Sequence, residues 1–298
     1  MNAGNLSSSA PEPTVTNDSS QPHPALLEEL VAAAAEAARA GAAVIRAAAG
    51  TLTREAVSSK SSPSDWVTDI DRAAEAAIIE AIRARRHYDS ILAEESGFTA
   101  QPGGDDHSAV EWIIDPLDGT VNFVYDYPAY AVAVGARVAG ELAVGVVIDV
   151  ARGETFVGRL GTTSTRNGVP INCSEPRGLA DMLVGTGFNY RADWRAHQAH
   201  VVSAILREVK DIRRSGSAAL DLCHVADGRL DGVYEAGTQP WDWSAATVIA
   251  RGAGAIVGGH DDGEPPSRAL VWACGPTVSG PFSELLRRLG APLYELAT

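Results

Sequence analysis

Lysine is nearly absent from this chain. Among 298 residues only Lys60 and Lys210 carry an ammonium group, and arginine supplies the remaining positive charge. No basic run stands out, and the formal net charge is −14. Nucleic acid and anionic membrane surfaces are poor partners for such a chain, so direct nucleic-acid binding is not expected. Cysteine is scarce as well. Cys173, Cys223 and Cys274 are odd in number, far apart and without a CxxC pair. A zinc ribbon or a disulfide framework is thereby excluded, and a reducing cytoplasm fits best. Long apolar runs are missing too. The most alanine-rich stretch, 32–50, is broken by Glu36, Arg39 and Arg46, so no membrane span is expected. The N-terminus lacks the basic start and apolar centre of a signal peptide. There is no GxSxG, and both lysines follow a residue other than glycine, which excludes a P-loop.

What is present is ordinary globular material, 45% hydrophobic and 21% charged. Residues 1–24 are the exception. They are rich in Ser, Thr, Asn and Pro, bury little apolar surface, and are expected to form a disordered tail. Residues 25–298 are expected to form a single domain. Its N-terminal α+β half spans 25–170 and its C-terminal α/β half spans 171–298.

Periodicity sets out the elements. Leu27, Leu30, Val31, Ala34, Ala38 and Ala42 share a helical stripe that Gly50 ends. A second helix runs from about Asp69 to Arg86, with Thr68 and Asp71 spaced as a capping box. SILAEE (90–95) and VEWIID (110–115) read as short strands ending in acids. Residues 130–138 and 142–150 flank Gly140 as a hairpin, continued by 154–160, and RNGVPI (166–171) carries an Asn-Gly turn. The second half alternates: strands near 182–186, 212–214, 230–235 and 269–274, and helices near 193–209, 217–226, 242–253 and 278–289. An α/β (α+β) layered body is the expected fold class.

Acidic residues gather where these elements end. In WIIDPLDGTVNF (112–123), Pro116 pushes Asp115 into extended conformation, so the strand is expected to end there. Gly119 permits a tight turn and Thr120 can start a helix. Asp115 and Asp118 then converge, and close carboxylates repel unless a proton or cation intervenes. Hard cations such as Mg²⁺ prefer such oxygen ligands, and a helix start offers amides to a phosphate. A turn with Asp118 as a helix cap is the simpler alternative. Glu94 and Glu95 in LAEESG, Asp242 in QPWDWSAA and Glu235 in LDGVYE are further acids at strand ends or helix starts. Each alone is a surface acid or a cap; together they mark the kind of end where α/β proteins build sites. Lys60, Asp65, Asp69 and Asp71 lie in a fourth such segment.

Other patterns carry less. CHVADGR (223–229) has the spacing of a cysteine phosphatase loop, but Cys223 falls on a helical stripe without the loop glycines a thiolate needs. His197 and His200 form an HxxH on a helix with no third ligand nearby, which points to a surface helix.

In combination, WIIDPLDGTVNF, LAEESG upstream and PWDWSAA downstream resemble the inositol monophosphatase family, in its bacterial inositol-1-monophosphatase branch. KSSPSDWVTDID and RRSGSAALDLCHVADGRLDGVYE match two further segments of that family. The resemblance implies an αβαβα sandwich, a homodimer, Mg²⁺ as cofactor with two or three ions per site, and sensitivity to lithium. By motif position, Glu94, Asp115 and the Leu117 carbonyl would hold a first ion and Asp115, Asp118 and Asp242 a second, with Glu94 also serving a looser third. Asp71 and Thr120 would position the attacking water, with Glu94 also catalytic and Glu95 and Lys60 in support. Asp118, Gly119 and Thr120 would face the phosphate; Gly216, Ser217, Ala218 and Glu235 would face the alcohol. The implied reaction is hydrolysis of inositol 1-phosphate by direct attack of water. Histidinol phosphate, nucleoside bisphosphate and fructose bisphosphate are alternative substrates within the family. A regulatory binding protein that keeps the fold is the alternative from another class.

Overall fold

The alanine stripe folds as α1 (Pro24–Ala48), which buries Leu30, Ala34, Ala38 and Ile45. The computed structural model describes residues 22–50, 58–59, 66–100, 109–261 and 263–292. Lys60 and Asp65 lie outside the described residues, as do residues 1–21 of the expected tail. Next comes α2 (Asp69–Arg85), with Thr68 as N-cap and the capping box with Asp71 formed in both directions. The two helices approach closely because Gly41 has no side chain; a Cβ there would lie 2.7 Å from Ile78.

A first sheet takes eight strands: β3 (Ser90–Ala93), β4 (Gly97–Thr99), β5 (Val110–Asp118), β6 (Ala131–Val138), β7 (Glu141–Asp149), β8 (Glu154–Arg159), β9 (Thr165–Arg166) and β10 (Val169–Pro170). Their order is β10-β9-β8-β7-β6-β5-β3-β4. Pairing is antiparallel except between β3 and β5. Ala139 and Gly140 close the β6–β7 hairpin with positive φ at both positions, as do Asn167 and Gly168 between β9 and β10. A separate two-stranded ribbon pairs β1 (Ser58–Ser59) with β2 (Trp66–Val67).

The second sheet has five strands: β11 (Leu183–Thr186), β12 (Asp211–Arg213), β13 (Gly232–Glu235), β14 (Ile256–Gly258) and β15 (Val271–Cys274), in the order β12-β11-β13-β15-β14. Around the sheets lie α3 (Thr120–Val124), α4 (Ala192–Ile205), α5 (Ala218–Ala226), α6 (Pro240–Gly252) and α7 (Ser279–Arg288). Three hydrophobic clusters define the layers. One joins α1 and α2 to a face of the first sheet. Another joins the opposite face, through Ala131, Ala133, Val147 and Phe156, to α5, α6 and the second sheet. The last joins the far face of the second sheet to Trp194 and Val201 of α4 and to Phe282 and Leu285 of α7. The expected αβαβα sandwich is therefore present. Among the described residues no helix is long and apolar enough to cross a membrane.

Several details differ from expectation. β5 does not end at Asp115. It passes Pro116 and runs to Asp118, with Asp115 opposite Ala133 and Asp118 opposite Ala131. Three steps on β5 thus face two on β6, a bulge that accommodates a residue with no N–H to give. β1, β2, β4 and β14 were not anticipated, because strands of two or three residues carry too little pattern.

A row of glycines sets the spacing of the middle layer. Gly135, Gly145 and Gly158 pair across β6, β7 and β8. They leave a trough in which α6 lies against backbone. A Cβ on Gly145 would sit 2.0 Å from the Ala245 carbonyl oxygen, and one on Gly158 2.8 Å from the Ile249 Cα. Gly145→Ala is expected to lower unfolding free energy by about 1–3 kcal/mol, the scale of overpacking a filled core. Urea denaturation monitored by circular dichroism checks this; an unchanged midpoint would show that α6 is not held at that distance.

Candidate active site

The bulge at the end of β5 delivers the first acids. Asp115 is buried, and its Oδ1 accepts the Leu117 amide at 3.0 Å. Gly119 follows with φ 95°, a left-handed conformation that disfavours a side chain. Space forbids one as well, since a Cβ would lie 2.8 Å from the Ala129 carbonyl. The chain then turns into the short α3. Thr120 Oγ1 donates to Asp71 Oδ1 at 2.9 Å and lies 3.1 Å from the Leu117 carbonyl oxygen. Asp71 is fully buried, and its Oδ2 accepts both the amide and the hydroxyl of Thr68, at 2.8 and 2.6 Å. As first amides of a helix, Gly119 and Thr120 have no intrahelical acceptor.

Parallel pairing of β3 with β5 brings the second acid alongside. Ala93 lies opposite Ile114, and the Glu94 amide donates to the Ile114 carbonyl at 3.2 Å. Glu94 is therefore the neighbour of Asp115. Its loop is clamped from α2, where the buried Glu75 accepts the amides of Glu95 and Ser96 at 2.8 and 2.9 Å.

The remaining acids arrive from the second half of the chain. Asp118 Oδ2 accepts the Ser217 hydroxyl at 2.5 Å and the Ala219 amide at 2.8 Å, so it caps α5 across the layers. Asp242 is the third residue of α6 and accepts the Gln239 amide at 2.7 Å in a capping box. Glu235 ends β13 beside Gly187, where a Cβ would collide with its carboxylate. Asp221 on α5 is buried, and its Oδ1 has no protein partner.

One cavity of about 540 Å³ collects these groups: Glu94, Asp115, Leu117, Asp118, Gly119, Thr120, Gly216, Ser217, Ala218, Asp221, Glu235 and Asp242 all line it. Of the described acids singled out in the sequence, Asp69, Asp71 and Glu95 are not on its wall; Asp69 is exposed and pairs with Arg72. Asp71 reaches it through Thr120, and Glu95 lies at the Glu75 clamp. Burial and mutual repulsion set the electrostatics. The Asp115 carboxyl is held well above its ordinary range, first by burial and then by Glu94, Asp118 and Asp242. Asp242 is raised well above its range, by burial and then Glu94. Burial also pushes Asp118 up to about 6, although Ser217, the α5 amides and Arg214 oppose it, and Glu235 up to about 7. Asp115 and Glu94 lie within hydrogen-bonding reach, which two carboxyl groups tolerate only with a proton or cation between them.

Among the described residues no three His, Cys, Asp or Glu side chains close into a ready-made metal cage. The donor set is nonetheless all oxygen, negatively charged and buried, which suits hard divalent ions. The residues present therefore fit a divalent metal ion.

The cavity also holds residues that the sequence reading missed. Arg214 is the cation whose charge acts on Asp118, Asp221 and Glu235. Asn189 and Arg191, from the loop between β11 and α4, and Arg268, from the loop before β15, line the wall. Nothing in the local sequence of those loops signals convergence. Glu75 was findable: it lies four residues after Asp71, beside Ala74 and Ile78 on the buried face of α2. An acid on such a face needs a partner. The other patterns behave as their simpler readings require. Cys223 is buried within α5, and His197 Nε2 bonds the Gly290 carbonyl at 2.7 Å.

The inositol monophosphatase family model matches residues 26–285. The chain belongs to that family. It is 44% identical over 206 residues to the inositol-1-monophosphatase SuhB of Mycobacterium tuberculosis, covering 68% of this chain and 71% of that one. It is 41% identical over 208 residues to the Nus factor SuhB of Escherichia coli, covering 68% and 76%. The solved inositol monophosphatase of Anabaena superposes with a TM-score of 0.75 at 34% identity, over 88% of this chain and 97% of that one.

The Glu75 clamp makes a prediction. Glu75→Gln removes the charge and one acceptor, and is expected to lower stability by about 1–3 kcal/mol, the scale of leaving a buried donor unsatisfied. Amide hydrogen exchange at Glu95 and Ser96 should accelerate; unchanged protection there would show that the Glu94 loop does not depend on α2.

Proposed function

We propose that this chain is a Mg²⁺-dependent phosphomonoesterase that hydrolyses inositol 1-phosphate to inositol and phosphate. The observation that carries this reading is the gathering of Glu94, Asp115, Asp118 and Asp242 on one cavity, where burial first and these neighbours second push the Asp115 carboxyl well up. Asp115 and Glu94, with the Leu117 carbonyl, would hold one ion; Asp115, Asp118 and Asp242 would hold another. Divalent ions bound there would offset the charge of a phosphate dianion, acidify water and stabilise a leaving alkoxide.

The chain's own residues supply the rest. Thr120, fixed by Asp71, offers its hydroxyl to orient the attacking water. The Gly119 and Thr120 amides face the ester phosphate. The water oxygen forms a bond to phosphorus as the ester P–O bond breaks; the water's proton leaves, and the alkoxide takes one up to become the alcohol. No Ser, Cys or His nucleophile was identified in the sequence, which favours direct attack. Glu235 and Asp221 favour a polyol on the leaving side: both line the cavity and present carboxyl oxygens to hydroxyl groups. Residues 25–298 act as one domain in this reading, since α5 and α6 pack on both sheets. A homodimer and lithium sensitivity accompany it from the family resemblance, and a cytoplasmic location from the three unpaired cysteines.

The relative named Nus factor suggests a binding role as a second reading. Keeping all four acids together favours catalysis, and a net charge of −14 disfavours direct contact with RNA.

Asp115→Asn tests the proposal. Turnover of inositol 1-phosphate should fall about a hundredfold or more, the scale lost with one electrostatic contact at a reacting centre. The metal-free variant should be at least as stable as the parent, because a buried like charge is gone. Mg²⁺ should raise the melting temperature of the parent and not of the variant. Full activity in the variant would refute the assignment.

A further inference from the structure

β11 runs parallel to both β12 and β13, and a crevice opens where such strands end and their chains part. Thr186 of β11 lies opposite Tyr234 of β13, so Gly187 and Glu235 come next as the two chains diverge. Glu235 occupies the gap between them. A Cβ on Gly187 would lie 2.1 Å from its Oε1, so the carboxylate rests on the Gly187 backbone. Beyond these residues one chain runs through 187–191 into α4, and the other through 236–239 into α6. The Glu235 carboxylate is therefore directed by whatever holds the two departing segments a fixed distance apart.

That tie comes from an outer helix. α4 buries Trp194, Gln198, Val201 and Ile205, so an amide stands among hydrophobic side chains. Gln198 is 6% exposed and does not line the cavity. A buried amide needs partners at both ends, and here each end serves a different segment. Its Oε1 accepts the Asn189 amide at 2.9 Å, and its Nε2 donates to the Ala236 carbonyl at 3.1 Å. With an N–H on one side and a carbonyl on the other, only one orientation of the amide satisfies both. Gln198 thus spans the gap from behind. Asn189 adds a second strut, donating to the Gly237 carbonyl at 3.2 Å. Trp194, one turn before Gln198 on the same helix face, wedges against Gly237, where a Cβ would lie 2.7 Å from its ring.

We propose that Gln198 is a positioning residue that sets the separation of the two segments, and through it the place of the Glu235 carboxylate, so that the leaving alcohol is selected for its hydroxyl groups by a side chain it never touches. This deepens the phosphomonoesterase reading above and rests on it for turnover, though not for binding. Selectivity and chemistry have separate supports. Glu94, Asp115 and Asp118 are held by the first sheet and by α5, which Gln198 does not bond. Without the tie, Glu235 loses its fixed seat and its hydrogen bonds to the alcohol weaken, while the ester end keeps its shape.

The test compares inositol 1-phosphate with cyclohexyl phosphate, the same ring without hydroxyl groups, at fixed Mg²⁺ and ionic strength. Gln198→Met keeps the length of the side chain and removes both hydrogen bonds. The ratio of kcat/KM for inositol 1-phosphate over cyclohexyl phosphate should fall about tenfold, mainly through KM, the scale of one hydrogen bond to a charged group. The value for cyclohexyl phosphate should stay nearly unchanged. In a Glu235→Ala background, Gln198→Met should lower the ratio no further, because residues that act as a unit are not additive. An unchanged ratio in Gln198→Met, an additive loss in the double variant, or an equal loss for both esters would overturn the positioning role. Two measurements hold where turnover or folding of the variant fails. Hydrogen exchange on the parent should find the Asn189 amide protected; exchange at the rate of an open loop would remove the tie. Calorimetry with both esters and Ca²⁺ should show tighter binding of inositol 1-phosphate by the parent and no such preference in Gln198→Met. That loss would uphold the proposal even if neither ester were hydrolysed, the outcome that defeats the phosphomonoesterase reading alone. No preference in the parent, or one kept in the variant, would overturn it.

Discussion

Carboxylates taken out of water and placed side by side repel, and the layers around the cavity hold them together regardless. Asp118 is fixed by Ser217 and Ala219, Asp242 by the Gln239 amide, and Asp71 by Thr68 and Thr120. Glu94 follows a strand paired in parallel with the one that carries Asp115. Each contact costs little alone, because helix caps and strand ends form anyway. Together they fix an arrangement that is unfavourable until positive charge enters it. The raised Asp115 and Asp242 carboxyl groups record that unfavourable state.

The same contacts join the two halves of the chain. Asp118 leaves the first sheet and caps α5, which packs against both sheets. Asn122 donates to the Ala129 and Ser215 carbonyls, at 2.6 and 2.9 Å, and ties the loop before α5 to α3. The site is therefore a junction between layers, and its geometry depends on how the middle helices sit.

Much of this was legible in the sequence, for identifiable reasons. The capping box at Thr68 and Asp71 and the Ala139–Gly140 and Asn167–Gly168 turns depend on residues within four positions of one another, so local spacing reveals them. Asp115, Glu94 and Asp242 were readable as acids at element ends, but their convergence is a property of topology and entered through family resemblance. The bulge in β5 was misread because proline usually ends a strand, whereas here the neighbouring strand continues past it. Arg191 and Arg268 left no trace, since they lie in loops far apart in sequence and only the tertiary fold brings them to the Trp194 indole. Glu75 could have been found as an acid on a buried helical face.

The glycine row has one more consequence. Because α6 touches the peptide groups of β6, β7 and β8 directly, no side chain there can yield to absorb a shift. Asp242 therefore moves with the curvature of the first sheet, as if mounted on it. Sequence drift in the outer helices can be taken up by repacking, whereas drift in that trough is transmitted to the chemistry. The stretch of this molecule least able to vary is for that reason a strip of backbone that never touches a ligand.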